Sequence, residues 1–195
     1  MSPSPEDSSK ICIPANDREY SPDERSLLIA AAHLAIASAL GSQDISLEPP
    51  SAHLGESRGV FTTLYWKGEL RGCVGYALPI TSLYRAVIET ARGAAFDDPR
   101  FAPVTPEELP DLKVSLSVLS PLKAIRPEEV EIGLHGLLVT LGQRRGLLLP
   151  QVPLEHGWDR IQFLEQTCRK AGLPGDAWKS GATLQAFTAE VFGEE

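Results

Sequence analysis

The chain has 195 residues, 43% of them hydrophobic and 23% charged, with a formal net charge of −8. That length and composition describe a globular protein with a real core, as one domain or two small lobes. The acidic balance excludes a strong generic nucleic-acid binder, which needs cations to neutralise phosphates, and leaves room for one local basic pocket.

Residues 1–16 are expected to form a mobile N-terminal tail, its first nine residues reading M-S-P-S-P-E-D-S-S. The remaining 17–195 is expected to be a single domain. Its first element starts at S-P-D-E, where Ser21 can cap, Pro22 suits the first helical position and Glu24 completes a capping box. Leu27, Leu28, Ala31, Leu34 and Ala35 then recur at helical spacing until Gly41. Ser46–Gly59 is punctuated by proline and glycine and reads as loop. Val60–Trp66, the turn K-G-E and Leu70–Tyr76 read as a β-hairpin. Ser82–Ala95 is a second helix, stopped before D-D-P-R-F because Pro99 bars helical geometry at Asp98.

T-P-E-E at Thr105–Glu108 is another capping box, opening a short turn. Lys113–Leu122 alternates with a period of two, putting Val114, Leu116 and Val118 on one face of a strand. A second hairpin joins Leu137–Leu141 to Gly146–Leu149 through G-Q-R-R-G, which places Arg144 and Arg145 at its tip. The run L-L-L in its second strand predicts burial on both faces. Asp159–Ala171 is a third long helix, with Ile161, Leu164, Cys168 and Ala171 predicted inward and Gly172 as its stop. Thr183–Phe192 closes the chain as one strand. The expected class is α+β, with largely antiparallel β-hairpins packed against about three main helices. No internal repeat, G-x-G-x-x-G or Walker loop occurs, so dinucleotide and nucleoside-triphosphate chemistry loses its usual support.

Three cysteines, Cys12, Cys73 and Cys168, cannot all pair within the chain, and no C-x-x-C is present. No metal or cofactor is called from these spacings. No apolar stretch approaches membrane-spanning length, and the expected location is the reducing cytoplasm, away from membranes.

The most informative six residues are Leu70–Gly75, L-R-G-C-V-G. Gly72 and Gly75 permit backbone approaches that a Cβ would forbid, and Arg71 is a permanent cation able to favour a Cys73 thiolate if it turns that way. The same pattern also builds a tight bend in a sheet, and an unpaired cysteine is also a common small core residue. A nucleophilic cysteine needs a base and an orienting group. His135, between Gly133 and Gly136, is the first choice for the base, and His156 beside Glu155 the second. Gln151 and Glu155 are candidates to orient the imidazole or bind substrate. The plainer readings are a backbone-bonded imidazole for His135 and helix-entry architecture for His156. Arg100 in D-P-R-F reads as pairing with Asp97 or Asp98.

These motifs taken together resemble the AMMECR family, called AmmeMemoRadiSam system protein A in prokaryotes. The matching residues are Gly59–Leu64 (G-V-F-T-T-L), Leu70–Gly75, Asp98–Phe101 (D-P-R-F) and Val114–Leu119 (V-S-L-S-V-L). They continue through His135–Leu137 (H-G-L), Arg145–Val152 (R-G-L-L-L-P-Q-V), Glu155–Asp159 (E-H-G-W-D) and Cys168–Leu173 (C-R-K-A-G-L). The resemblance implies a compact α+β domain inside the cell, in the company of a radical S-adenosylmethionine enzyme and a Memo-like protein. It also implies a part in modifying RNA or another macromolecule. With no Memo-like segment and no radical-cluster cysteine motif in these residues, both partners are expected as separate proteins. Two roles remain open. One is an enzyme component acting through Cys73 and His135, with Arg71, Gly72, Gly75, Gln151 and Glu155 binding substrate. The other is a non-catalytic adaptor offering the same cleft to a protein or peptide.

Overall fold

The computed structural model describes residues 18–41 and 45–194, so the expected tail lies outside the described residues. In chain order the elements are α1 (Pro22–Gly41), β1 (Val60–Trp66), β2 (Glu69–Tyr76), α2 (Leu83–Phe96), β3 (Leu112–Leu119), β4 (Lys123–Ala124), β5 (Gly136–Leu141), β6 (Arg144–Leu148), α3 (Val152–His156), α4 (Arg160–Lys170), β7 (Thr183–Phe187) and β8 (Ala189–Gly193). Contacts divide them into two compact units, residues 18–119 with 190–194 and residues 120–189. The class is α+β, as the alternation and hairpin signals predict.

The first unit is a four-stranded sheet in the order β2-β1-β3-β8, with β1 antiparallel to both neighbours. Lys67 (φ 52°) and Gly68 (φ 80°) turn the β1–β2 hairpin, both in the left-handed region that a two-residue loop of primed type requires. On β3 the predicted face is observed: Val114, Leu116 and Val118 are buried while Ser115 and Ser117 are half-buried. Val60, Thr62 and Leu64 of β1 point the same way, and α1 and α2 pack over that face. Both helices begin where capping chemistry puts them. Glu24 accepts the Ser21 N–H at 2.9 Å while Ser21 Oγ accepts the Glu24 N–H at 3.3 Å. Ser82 Oγ accepts the Arg85 N–H at 3.4 Å. Contrary to the expectation that no apolar stretch approaches membrane-spanning length, α1 has 20 residues and an 18-residue window of mean hydropathy 1.2, long and apolar enough by length and composition to cross a membrane. Its Leu28, Ala31, Ala32, Ala35 and Ile36 are buried in the core of the first unit.

The second unit is a sheet in the order β4-β7-β5-β6, covered on one face by α4. Asp159 and Gln162 form a reciprocal capping box at the start of α4. Its buried residues are Phe163, Leu164, Thr167 and Cys168, packed with Leu137 and Val139. Ile161, expected inward, is 43% exposed, and Phe163 takes the core position. A stripe through Phe163, Thr167 and Cys168 fits the helical period as well as one through Ile161, and the buried aromatic ring decides between them. The β5–β6 turn is only Gly142 and Gln143, so Arg144 and Arg145 stand within β6 and not at a tip. Because β6 is an outer strand, Leu147–Leu149 are half-buried rather than covered on both sides. Thr183–Phe192 is two strands, β7 in the second sheet and β8 in the first.

Candidate functional site

The period of two along β2 separates the residues of L-R-G-C-V-G onto two faces. Gly72 and Val74 face α2. A Cβ on Gly72 would lie 2.0 Å from the Ala94 carbonyl oxygen, so glycine is what lets the helix sit on the strand. Arg71, Cys73 and Gly75 stand on the opposite face, away from α2. There Gly75 lies under the ring of its cross-strand partner Phe61, whose Cδ1 would be 2.3 Å from an added Cβ.

Cys73 is half-buried and is directly opposite Thr63 of β1, which is in turn opposite Ser115 of β3. The three form a thiol–hydroxyl row across the sheet. Thr63 Oγ1 donates to Cys73 Sγ at 3.3 Å. Its sheet-outward backbone is held from the loop after α2. The Cys73 N–H donates to Asp98 Oδ2 at 2.8 Å, and Arg100 Nη2 lies 3.5 Å from the Cys73 carbonyl oxygen. Arg100 forks onto the same carboxylate, with Nη2 at 2.7 Å from Oδ2 and Nε at 3.0 Å from Oδ1. The guanidinium of Arg100, opposed by burial and joined by the N–H groups of Cys73 and Arg100, holds the Asp98 carboxyl well below the usual carboxylate range. D-P-R-F therefore closes the outer edge of β2 at Cys73, and the Asp98–Arg100 pairing read from the sequence is the means.

Arg71 does something other than stabilise a thiolate. Its Nε donates to Glu108 Oε1 at 2.8 Å, its Nη2 to Glu108 Oε2 at 3.1 Å, and its Nη1 to the Ala102 carbonyl at 2.8 Å. Glu108 also accepts the Thr105 N–H at 2.7 Å, and the Arg71 guanidinium above all keeps its carboxyl below the ordinary range. Arg71 is a strut between β2 and the loop before β3.

The other candidates belong to the second unit. His135 Nδ1 accepts the Glu131 N–H at 3.0 Å, and the His135 N–H donates to the Glu131 carbonyl at 3.1 Å. In the neutral ring this leaves the proton on Nε2, so the imidazole offers no open basic nitrogen. Gln151 precedes α3, where its carbonyl accepts the Glu155 N–H at 3.0 Å, and the Glu155 side chain is exposed. His156 stacks on Trp158 with ring centroids 4.5 Å apart. Thus Arg71, Gly72, Cys73 and Gly75 share one strand of the first unit, and His135, Gln151 and Glu155 belong to the second. The sequence reading missed Thr63 and Glu108 as neighbours of this motif. Thr63 sits in G-V-F-T-T-L and was identifiable only through the hairpin register. Among the described residues no group of three His, Cys, Asp or Glu side chains is placed to hold a metal ion.

In each unit, motifs far apart in sequence meet around glycines that admit a helix or a ring: Gly72 and Gly75 in the first, Gly146 and Gly136 in the second. This double α+β arrangement defines a protein class with the Cys73 strand at the edge of its first sheet. The AMMECR1 family model matches residues 29–192, and the chain belongs to that family. It is 46% identical to Protein MK0488 of Methanopyrus kandleri over 185 residues, covering 89% of each chain. With Protein TK0174 of Thermococcus kodakarensis it shares 49% identity, covering 76% of this chain and 80% of that one. The crystal structure of Uncharacterized Protein PH0010 from Pyrococcus horikoshii is similar with a TM-score of 0.72 at 42% identity, covering 87% of this chain and 90% of that one.

Proposed function

We propose that this protein is an accessory component of a macromolecule-modification system. It works in the cytoplasm beside a radical S-adenosylmethionine enzyme and a Memo-like protein. Its working surface is the Cys73-bearing face of the first sheet, the one turned away from α2, used to bind a protein or peptide rather than to perform chemistry. One observation carries the reading: both carboxylates near Cys73, the only charged groups there able to act as a base among the described residues, are already committed. Asp98 is held by Arg100, Glu108 by Arg71, and the thiol has a neutral hydroxyl as its partner. A nucleophile needs a free base, and the groups beside Cys73 supply a rigid, half-buried face instead.

A second reading keeps Cys73 as a nucleophile whose base comes from the substrate or a partner protein, since His135 Nδ1 already accepts the Glu131 N–H. It is favoured by the Thr63 hydroxyl, which donates to Sγ at 3.3 Å and fixes where the sulfur sits on this face. The two readings separate in a reconstitution with a radical S-adenosylmethionine enzyme and a Memo-like protein, with complex formation followed by sedimentation velocity. The adaptor reading predicts that Cys73→Ala still binds and still supports modification, whereas Ser115→Arg on the same face loses both. Modification lost in Cys73→Ala with binding intact establishes the nucleophile. Binding unchanged in a folded Ser115→Arg variant removes this face from the account.

A further inference from the structure

Arg71 is spent as a strut, yet a second guanidinium stands beside Cys73. Arg100 comes from a loop 27 residues further along the chain, and its Nη2 is 3.5 Å from the Cys73 carbonyl oxygen. Two of its nitrogens are fixed on Asp98, at 3.0 Å through Nε and 2.7 Å through Nη2, and Nη1 has no hydrogen-bond partner among the described residues. The pair is neutral in sum but strongly oriented. The Asp98 side chain is 3% exposed and the Arg100 side chain 55% exposed, so the carboxylate is buried and the cation faces outward. The guanidinium also lies 5.4 Å from the centre of the Phe101 ring. A side chain fixed in this way has already lost the rotamer freedom that binding a ligand would otherwise cost, and its planar fork suits carboxylate and phosphate oxygens.

We infer that Arg100, held by Asp98, makes the Cys73 face selective for ligands carrying an anionic group, and that it supplies the charge the sequence assigns to Arg71. Carboxylate and phosphate share the chemistry that Nη1 recognises. The inference rests on the Cys73 face being the working surface, and its test needs no partner protein, so the two ideas can fail separately.

The experiment compares alkylation of Cys73 by iodoacetate, an anion, and by iodoacetamide, its neutral counterpart, with each cysteine followed by peptide mass spectrometry. The ratio of the two rates in the folded protein is referred to the same ratio at Cys73 in the urea-denatured chain. A fixed neighbouring cation raises the folded ratio about threefold or more, and 1 M salt brings it back toward the denatured value. Arg100→Gln abolishes the excess, Arg100→Lys retains part of it, and Arg85→Gln on α2 leaves it alone. Inorganic phosphate and acetate, added at constant ionic strength, slow iodoacetate selectively, and whichever competes at lower concentration identifies the preferred group. The wild-type salt dependence decides the matter even if Arg100→Gln fails to fold. A folded ratio equal to the denatured one, or an excess that survives in a folded Arg100→Gln variant, overturns the inference.

Discussion

Replacing Asp98 with Asn is the sharpest perturbation of the Cys73 strand. The carboxylate accepts the Cys73 N–H at 2.8 Å, the Arg100 N–H at 3.1 Å and two guanidinium hydrogen bonds, from a side chain only 3% exposed. An amide of the same shape keeps one acceptor, turns the other into a donor facing Arg100, and removes the charge. Bonds to a charged acceptor contribute about 1.5–3 kcal/mol each, and breaking a buried pair costs about 3–5 kcal/mol. Because Arg100 is 55% exposed and can rehydrate, the loss is discounted to about 2–4 kcal/mol at pH 7. The pH dependence follows from the sign of the shift. Asp98 titrates in the folded protein below its ordinary value of 3.8, so its contribution is complete above that pH and disappears as pH falls through the depressed folded value. Urea denaturation of wild type and Asp98→Asn should therefore give curves well separated at neutral pH that converge under acid. A variant within about 0.5 kcal/mol of wild type at pH 7, or a gap that stays constant into acid, would refute the reasoning.

Gly72→Ala forces a methyl to 2.0 Å from the Ala94 carbonyl oxygen, and because that atom belongs to the helix backbone the variant should lose at least about 1–3 kcal/mol in chemical denaturation. Gly41→Ala, with nothing within 4 Å among the described residues, adds no clash and serves as the control, expected at or above wild-type stability. Cys168 is fully buried, so Cys168→Ala should cost roughly 1–2 kcal/mol and Cys73→Ala, from a half-buried site, should cost less; the reverse order would exchange their roles. His53 Nδ1 lies 2.7 Å from Glu24 Oε1, and that hydrogen bond raises its pKa above 6.5. Its contribution is complete below that pH and is lost as pH rises through the raised folded value, so His53→Gln should flatten the stability profile on that limb, as followed by denaturation and an NMR titration of the ring. Random-sequence RNA and DNA should bind weakly with a shallow salt slope, because a chain of net charge −8 neutralises few phosphates; micromolar binding that collapses with salt would reveal a basic surface.

What the sequence disclosed divides along physical lines. Local chemistry was legible: Val60–Trp66 has the bounds its β-branched and aromatic run implies, and Ser82 and Asp159 cap the helices that follow them. The pairing of Asp98 with Arg100 was visible because only Pro99 separates them. Partners decided by tertiary approach were not. Arg71 and Glu108 are 37 positions apart, and T-P-E-E read as a cap because Glu108 does accept the Thr105 N–H while both its oxygens also bind Arg71. The division between β7 and β8 was hidden for a related reason. No glycine or proline marks it, and the break falls at Thr188, whose N–H and carbonyl bond to Ser120 at 2.9 Å each. Ile161 misled because one helical stripe fits the period as well as its neighbour.

The central claim is that the Cys73-bearing face of the first sheet is where this protein meets its system. Hydrogen exchange of the protein alone and in the mixture with the radical enzyme and the Memo-like protein tests it most directly. The account predicts new protection in β1, β2 and the D-P-R-F loop, residues 60–76 and 98–101, with α1 unchanged. Protection confined to α1 or to other surfaces, with exchange at Cys73 and its neighbours unaltered in a formed complex, would contradict it.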